Sequence, residues 1–256
     1  WSSAVLGAFQ KRVVDAAVVS LDELLLLEEG DAQPLAVLVV GTSKGSDTIL
    51  ALPGISSMSE LRGRRVGVEL HSSSEYLLMS SLKKLGMSLA EVQIVPLNLA
   101  ETESAYLEKD IDAVVTADPW RVRLLGAGAV PLDDSKAMGL EMSRVLVVRR
   151  DAAARFHREV SRLVFACLDH ASGKGPCWEE EGLAAVLRRE GLTRGQWDAA
   201  LGLIHTPGLD ENVRLLEGGL TEVLQQMASR MHAAGTLERE VNVSHLTSPQ
   251  FVKEVR

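Results

Sequence analysis

The middle of the chain alternates between short apolar runs and longer segments with apolar residues at helical spacing. The runs Val66–Leu70, Val92–Leu97 and Ile111–Thr116 are typical of strands that are buried on both faces. The segments between them, Ser74–Leu85 and Ala100–Glu108, carry apolar residues three and four positions apart. This order predicts a βαβαβ unit, the building block of a doubly wound α/β domain.

A second copy of part of this pattern lies near the start of the chain. "AFQKRVVDAAVVS", residues 8–20, aligns without a gap with "AYLEKDIDAVVTA", residues 105–117, at an offset of 97. Each copy predicts the end of an amphipathic helix, a polar turn that contains Asp15 or Asp112, and an apolar strand that is parallel and buried between helices. Chance similarity between two segments of the same type is the alternative.

The first copy has a helix and a strand but no counterpart of residues 66–98. The offset places those counterparts upstream of residue 1, in a segment of roughly 33 residues, about one βαβ unit. We therefore expect an N-terminal βαβ unit of the intact fold to be missing from this chain.

Two extended stretches, Thr48–Leu52 and Arg144–Val148, predict crossings between two α/β lobes. The residues after 150 follow an almost entirely helical pattern with Gly and Pro at the breaks. We expect a discontinuous lobe I (1–48 and 149–256), a continuous lobe II (53–143), and hinge strands at 49–52 and 144–148.

Polar residues follow the predicted strands, and "HSSSEY", residues 71–76, is the densest group. One serine is enough to cap the helix that follows, so three serines favour a ligand seat at its N-terminus, although capping alone is the alternative. Ligands of such sheets bind beyond the carboxyl ends of the strands. The candidate ligand-binding residues are Ser2, Ser3, Ser20, His71, Ser72, Ser73, Ser74, Asn98, Asp118 and Trp120. For Trp120, a core position and a wall of the binding cleft are both open.

Composition excludes several classes of protein. The 256 residues are 46% hydrophobic and 24% charged, which is ordinary for a globular protein, and a net charge of −8 without a basic cluster argues against a nucleic-acid partner. No stretch approaches the ~20 apolar residues that span a bilayer. Neither the two cysteines, Cys167 and Cys177, nor the six histidines follow a metal-binding pattern, so we expect no metal and no cofactor. A disulfide between the two cysteines is open.

Several stretches, in the order in which they occur, resemble the substrate-binding proteins of ABC importers. They include the hinge strand and the helix that follows it in "SKGSDTILALPGISSMSELRGRRVGVELHSSSEYLL", the segment "DIDAVVTADPWRVRLLGAGAVPL" and the return strand "VLVVRRDAAARF". The branch that the chain looks most like handles nitrate, sulfonates, taurine and the pyrimidine precursor of thiamine. Family members commonly have Gly or Pro-Gly where this chain has Leu70-His71.

The resemblance implies a two-lobed periplasmic-binding-protein fold that binds a small polar or anionic molecule, or a heterocycle, in an interlobe cleft. It implies a membrane permease as partner, an extracytoplasmic location with a leader outside this chain, and a monomer that is not an enzyme. Two alternatives share the scaffold. One is an enzyme similar to thiamine-pyrimidine synthase or chorismate dehydratase, and the other is a ligand-sensing domain of a signalling protein.

Overall fold

The structure is a computed structural model that describes residues 2–173 and 178–255. Its strands are β1 (Ala16–Ser20), β2 (Pro34–Ser43), β3 (Thr48–Ala51), β4 (Arg65–Val68), β5 (Gln93–Pro96), β6 (Ala113–Thr116), β7 (Val130–Asp134), β8 (Ser143–Arg149) and β9 (Ile204–His205). Its α-helices are α1 (Ser2–Gln10), α2 (Leu21–Glu29), α3 (Ser73–Lys83), α4 (Thr102–Leu107), α5 (Trp120–Gly126), α6 (Arg150–Arg155), α7 (His157–Ala171), α8 (Glu180–Glu190), α9 (Arg194–Leu201), α10 (Leu209–Arg214), α11 (Thr221–Ala233) and α12 (Gln250–Lys253). Cys177 lies outside the described residues, so the disulfide hypothesis falls outside them too.

The chain forms two compact units. Unit 1 contains residues 43–139 and 192–204, and unit 2 contains residues 2–42, 140–191 and 205–255. The lobe and hinge bounds expected from the sequence stay a prediction.

Unit 1 is built on a five-stranded sheet in the order β5-β4-β6-β3-β7. β4 pairs in parallel with β5 and β6, and helices α3 and α4 connect these strands. This arrangement confirms the predicted βαβαβ unit. β3 completes the sheet by pairing antiparallel with β6 and β7.

One buried cluster of unit 1 lies where α4 and α5 pack on the sheet. Leu50 of β3 and Val114 of β6 contact Tyr106 of α4 and Leu124 of α5, and all four side chains are buried. The Tyr106 hydroxyl donates to the carbonyl of Ala51 at 3.2 Å, so the polar end of this ring has a partner in the core.

Unit 2 is built on a four-stranded sheet in the order β1-β8-β2-β9. β8 pairs antiparallel with both β1 and β2. The prediction that the first copy of the repeat supplies a parallel strand buried on both faces is therefore wrong for the pairing that the described residues show. β1 is an edge strand, and the Val18 side chain is 49% exposed.

The internal repeat of the sequence nevertheless corresponds to a repeat in the structure. β1 and β6 occupy corresponding positions in the two copies, and each pairs antiparallel with one of the two extended stretches that were expected to be hinges, β8 and β3. The aspartate that precedes each strand pairs with an arginine of a neighbouring strand. Oδ1 of Asp15 lies 2.9 Å from Nη2 of Arg149, and Oδ1 of Asp112 lies 3.1 Å from Nη2 of Arg65.

The helical pattern predicted after residue 150 is confirmed by α6 to α12, with β9 as a short exception. Asn212 of α10 is fully buried and ties this helix to β2, because its side chain accepts from the N–H of Val39 at 2.7 Å and donates to the carbonyl of Val39 at 3.2 Å. Within the described ranges, we find no helix whose length and apolar character are sufficient for a bilayer crossing.

Candidate ligand-binding site

Three adjacent strands of unit 1 end at the same edge of the sheet. β5, β4 and β6 are parallel neighbours, so the residues that follow them lie side by side. Asn98 follows β5, residues 69–74 follow β4, and residues 117–120 follow β6. The topology thus brings together seven of the ten sequence-predicted site residues in one unit.

Ser72 is the N-cap of α3. Its backbone is extended, its hydroxyl oxygen accepts from the N–H of Ser74 at 3.2 Å, and its hydroxyl donates to the carbonyl of Glu69 at 2.7 Å. Because a hydroxyl has a single proton, Ser72 has no donor left for a ligand while this bond is present.

Ser73 and Ser74 form the first turn of α3, which is eleven residues long. Both residues are buried, at 7% and 5% exposure, whereas a serine at the start of a helix is exposed in most proteins. The first N–H groups of a helix have no partner within the helix and carry a partial positive charge. This turn therefore presents hydroxyl and amide donors in a buried place.

His71 adopts a left-handed backbone conformation with φ of 54°, which costs a non-glycine residue about 1–2 kcal/mol. Its N–H donates to the Glu75 carboxylate at 2.7 Å, and this bond supports the turn from β4 into α3. The His71 side chain is exposed.

Asp118 follows β6 and joins Pro119 through a cis peptide bond. Its carboxylate accepts from Nε of Arg121 at 3.1 and 3.2 Å. Burial raises the pKa of Asp118, although Arg121 and Ser46 act in the opposite direction. Asp118 is therefore a paired, desolvated carboxylate rather than a free acid.

Trp120 and Asn98 border the same edge. Trp120 is the first residue of α5 and is partly exposed, whereas Leu124 on the same helix is fully buried in the core. The side-chain amide of Asn98 donates to the Glu101 carboxylate at 3.0 Å, and its backbone N–H donates to the same oxygen at 2.8 Å. Asn98 thus uses one of its donors to begin the next helical turn.

The sequence did not single out the loop between β2 and β3, yet it is a buried polar network. The hydroxyls of Ser43 and Ser135 lie 2.7 Å apart. Ser135 accepts from the N–H of Gly45 at 2.8 Å, and Ser43 accepts from the N–H of Asp47 at 3.1 Å. These bonds fix the loop that contains Ser46. The sequence feature that could have identified this loop is the Lys-Gly-Ser-Asp-Thr run directly after a long apolar strand.

The other three predicted residues belong to unit 2. Ser20 ends β1, is fully buried and is the N-cap of α2. Ser2 and Ser3 open α1, where Ser3 is exposed and Ser2 is partly buried. Sequence reasoning missed two residues that lie close to Ser20. These are Asp22 and Glu23, which are only 2% and 3% exposed.

In the described parts of the chain, no group of three or more His, Cys, Asp and Glu side chains is arranged to hold a metal ion. The two units instead offer hydroxyls, amides and buried carboxylates, which suit the binding of a small organic molecule.

Two curated proteins illustrate what the sequence is similar to. The chain is 34% identical to a putative binding protein of Brucella abortus over 100 residues, which are 39% of this chain and 30% of that protein. The match thus spans less than a third of that relative's length. It is 24% identical to the taurine-binding periplasmic protein of Escherichia coli over 267 aligned positions, which cover 99% of this chain and 77% of that protein.

Solved structures share the fold at low identity. The alkanesulfonate-binding protein SsuA of Xanthomonas axonopodis pv. citri, bound to MOPS, matches with a TM-score of 0.76 at 20% identity over 95% of this chain and 82% of its own. The desulfurization enzyme DSZB matches with a TM-score of 0.65 at 16% identity over 94% of this chain and 84% of its own. Binding proteins and an enzyme therefore both use this fold, and the expected periplasmic-binding-protein fold is confirmed.

The model of the NMT1/THI5-like family matches residues 5–168, well over half of the chain. The match includes both copies of the internal repeat, β3, the return strand β8 and residues 72–74 at the start of α3, which we call the serine turn. The resemblance drawn from the sequence motifs is thereby confirmed, and the chain belongs to the NMT1/THI5-like family.

Proposed function

We propose that this protein is the substrate-binding component of an ABC importer, and that it holds the polar or anionic end of a small solute at the start of α3. The observation that carries the proposal is the placement of Ser73, Ser74 and the first N–H groups of α3 at the edge where three parallel strands end.

The chemistry of this turn suits an anionic group. Hydroxyl and amide donors stabilise an oxyanion without adding a charge that has to lose its own hydration. Ser72 supports the turn by capping it, so the donors offered to the solute come from Ser73, Ser74 and the backbone. The neighbouring carboxylate of Asp118 is paired with Arg121, which limits its repulsion of an anion.

The relatives support a transport role. One is named a taurine-binding periplasmic protein and another a putative binding protein. By this kinship the protein acts outside the cytoplasm and delivers its solute to a membrane permease.

Catalysis is the less favoured role, although a desulfurization enzyme shares the fold. A thiol nucleophile needs a lowered pKa, and burial instead raises the pKa of the Cys167 thiol. Cys167 lies in α7, on a different unit from the turn that begins α3. The described residues therefore offer no activated thiol at the candidate site.

The test uses calorimetric titration with taurine and with 2-hydroxyethanesulfonate, two sulfonates that differ in having an ammonium group or a hydroxyl at the far end. Ser73→Ala and Ser74→Ala are compared with Ser72→Ala, and each variant is also melted. Ser88→Ala is the matched control, because Ser88 caps another helical turn of unit 1 and is exposed.

Loss of a charge-assisted hydrogen bond of about 1.5–3 kcal/mol predicts that Ser73→Ala or Ser74→Ala weakens the binding of both sulfonates about ten- to a hundredfold. Ser72→Ala and Ser88→Ala should mainly lower stability, by about 1 kcal/mol for a lost cap. If all three variants of the serine turn lose stability and none loses affinity, the turn is a capping feature and the proposed seat is wrong.

A further inference from the structure

The guanidinium of Arg121 in unit 1 is held by only one of its three nitrogens. Nε donates to both oxygens of the Asp118 carboxylate, at 3.1 and 3.2 Å. Arginine more commonly pairs with a carboxylate through two nitrogens, which form two parallel bonds. Arg65 pairs with Asp112 in that way, through Nε and Nη2. The pair with Asp118 instead leaves both Nη groups of Arg121 without a bond to the carboxylate.

This pair is largely buried, yet the Nη donors of Arg121 are unused. The side chains of Arg121 and Asp118 are 14% and 9% exposed. Within the residues that the structure describes, the Nη groups have no hydrogen-bond partner, and they are not sealed from solvent either. Because the polar groups of a buried side chain are normally satisfied, these donors are available to a molecule that arrives from solvent.

The unused donors belong to the same unit and the same sheet edge as the serine turn. The parallel strands β4 and β6 are neighbours, with Gly67 beside Val114. The serine turn and Asp118 follow these two paired residues after nearly the same number of positions. Because neighbouring strands lie about 5 Å apart, both segments leave the sheet next to each other.

Asp118 prepares Arg121 for an anion. Its carboxylate offsets the cost of keeping a guanidinium charge in a largely buried place. Most of the hydration of Arg121 is therefore already lost in the free protein, and an anion that binds the Nη groups does not have to remove it. The serine turn supplies only neutral donors. A guanidinium distinguishes a charged group from a neutral polar group more strongly, because its hydrogen bonds to an oxyanion are charge-assisted.

We propose that Arg121 binds the anionic end of the solute through its Nη groups, beside the serine turn, while its Nε stays on Asp118. The inference rests on the proposed function, because it adds Arg121 to the seat proposed there. It assigns to Arg121 the discrimination between a charged and a neutral end group, whereas the serines contribute to the binding of both.

The test compares 2-hydroxyethanesulfonate with 2-(methylsulfonyl)ethanol, in which a methyl group replaces the charged oxygen, by calorimetric titration. Wild type should bind the sulfonate at least about tenfold more tightly than the neutral sulfone. Arg121→Gln should reduce this preference about tenfold or more, chiefly because the sulfonate binds less tightly. A structural role of Arg121 would instead weaken the binding of both compounds equally.

Two further variants control for charge and for folding. Arg123→Gln makes the same change on the same helix and breaks an ion pair with Glu103 of 3.1 Å, and it should keep the preference within about twofold of wild type. Arg121→Gln leaves the Asp118 carboxylate without its charged partner. The double variant Asp118→Asn, Arg121→Gln leaves no such charge, and it should lose the preference as the single variant does.

The two proposals fail on different results. Equal binding of both compounds by wild type, or a preference that survives in Arg121→Gln and in the double variant, would overturn the role of Arg121. The proposed function would still stand if Ser73→Ala or Ser74→Ala weakens sulfonate binding. An equal loss of preference in Arg123→Gln would also overturn the role of Arg121, because any positive charge on this helix would then have the same effect. If wild type binds neither taurine nor 2-hydroxyethanesulfonate, both proposals are wrong.

Discussion

Replacing Asp22 by asparagine should stabilise the protein, and the gain should grow as the pH rises from about 4 to about 7. Asp22 has a pKa raised from 3.8 to about 7 in the folded chain, chiefly by burial and then by Glu23. Between these values the unfolded chain has lost the proton and the folded chain still holds it. Folding therefore takes up a proton, and the stability that wild type owes to this group decreases as the pH rises.

The size of the effect follows from the two pKa values. Each pH unit over which folding takes up one proton lowers the free energy of unfolding by about 1.36 kcal/mol, so the window from 3.8 to about 7 corresponds to at most about 4 kcal/mol. An asparagine side chain does not titrate in this range, so the variant would not bear this cost. Asparagine also keeps the size and most of the hydrogen-bonding capacity of a protonated aspartate.

The assay is urea unfolding of wild type and Asp22→Asn at pH 4.5, 6, 7 and 8, with no solute added. The midpoint of Asp22→Asn should be close to that of wild type at the lowest pH and well above it at the highest, at similar slopes. Glu60→Gln is a control of opposite sign. Hydrogen bonds from Ser57 and Ser56 lower the pKa of the exposed Glu60, so its replacement should not stabilise the protein at any of these values.

Two results would refute this reasoning. A difference between Asp22→Asn and wild type that stays constant with pH would mean that Asp22 titrates near its ordinary value. A loss of stability at pH 8 would mean that the Asp22 charge is compensated in the fold.

Two further predictions concern packing and buried hydrogen bonds. Asn212→Ala should lower stability by about 1–3 kcal/mol, because it leaves the N–H of Val39 in β2 without its buried acceptor; urea unfolding at neutral pH measures this, and an unchanged midpoint would contradict it. Gly67→Ala should cost about 1–3 kcal/mol, because a Cβ there would lie 2.7 Å from Cδ1 of Leu97 and 2.9 Å from Cδ1 of Ile111; a melting temperature equal to that of wild type would show that these side chains move aside freely.

Much of unit 1 was predictable because its signals are local. The apolar runs at β4 and β6 are flanked by polar turns, and the helix after Ser72 follows the helical period, so each element lies within a few residues of its predicted bounds. The repeat also located β1 correctly, since Asp15 and Asp112 mark corresponding strand starts.

The pairing of β1 was not predictable from local signals. Its partner β8 lies more than a hundred residues away, and an apolar strand of five residues suits a parallel or an antiparallel neighbour equally. The analogy with β6, which pairs in parallel with β4, therefore predicted the wrong pairing for β1.

The buried acids were missed for a similar reason. In the sequence, Asp22 and Glu23 are ordinary acidic residues at the start of a helix, where exposure is the usual state. Their burial depends on tertiary packing around α2, to which β8 contributes through Arg144, so only the folded chain reveals it. By contrast, the serine turn was recognisable, because three serines are more than a cap requires.

The most direct test of the central claim is mass spectrometry of the small molecules released when the purified protein is denatured, for wild type and for a Ser73→Ala, Ser74→Ala double variant. The account predicts that wild type releases one chemically unaltered small solute with an anionic or strongly polar group, close to one per chain, and that the double variant releases far less. Equal amounts from both proteins would contradict the proposed seat. If wild type is then incubated with the released solute and converts it into a product, the binding role is contradicted.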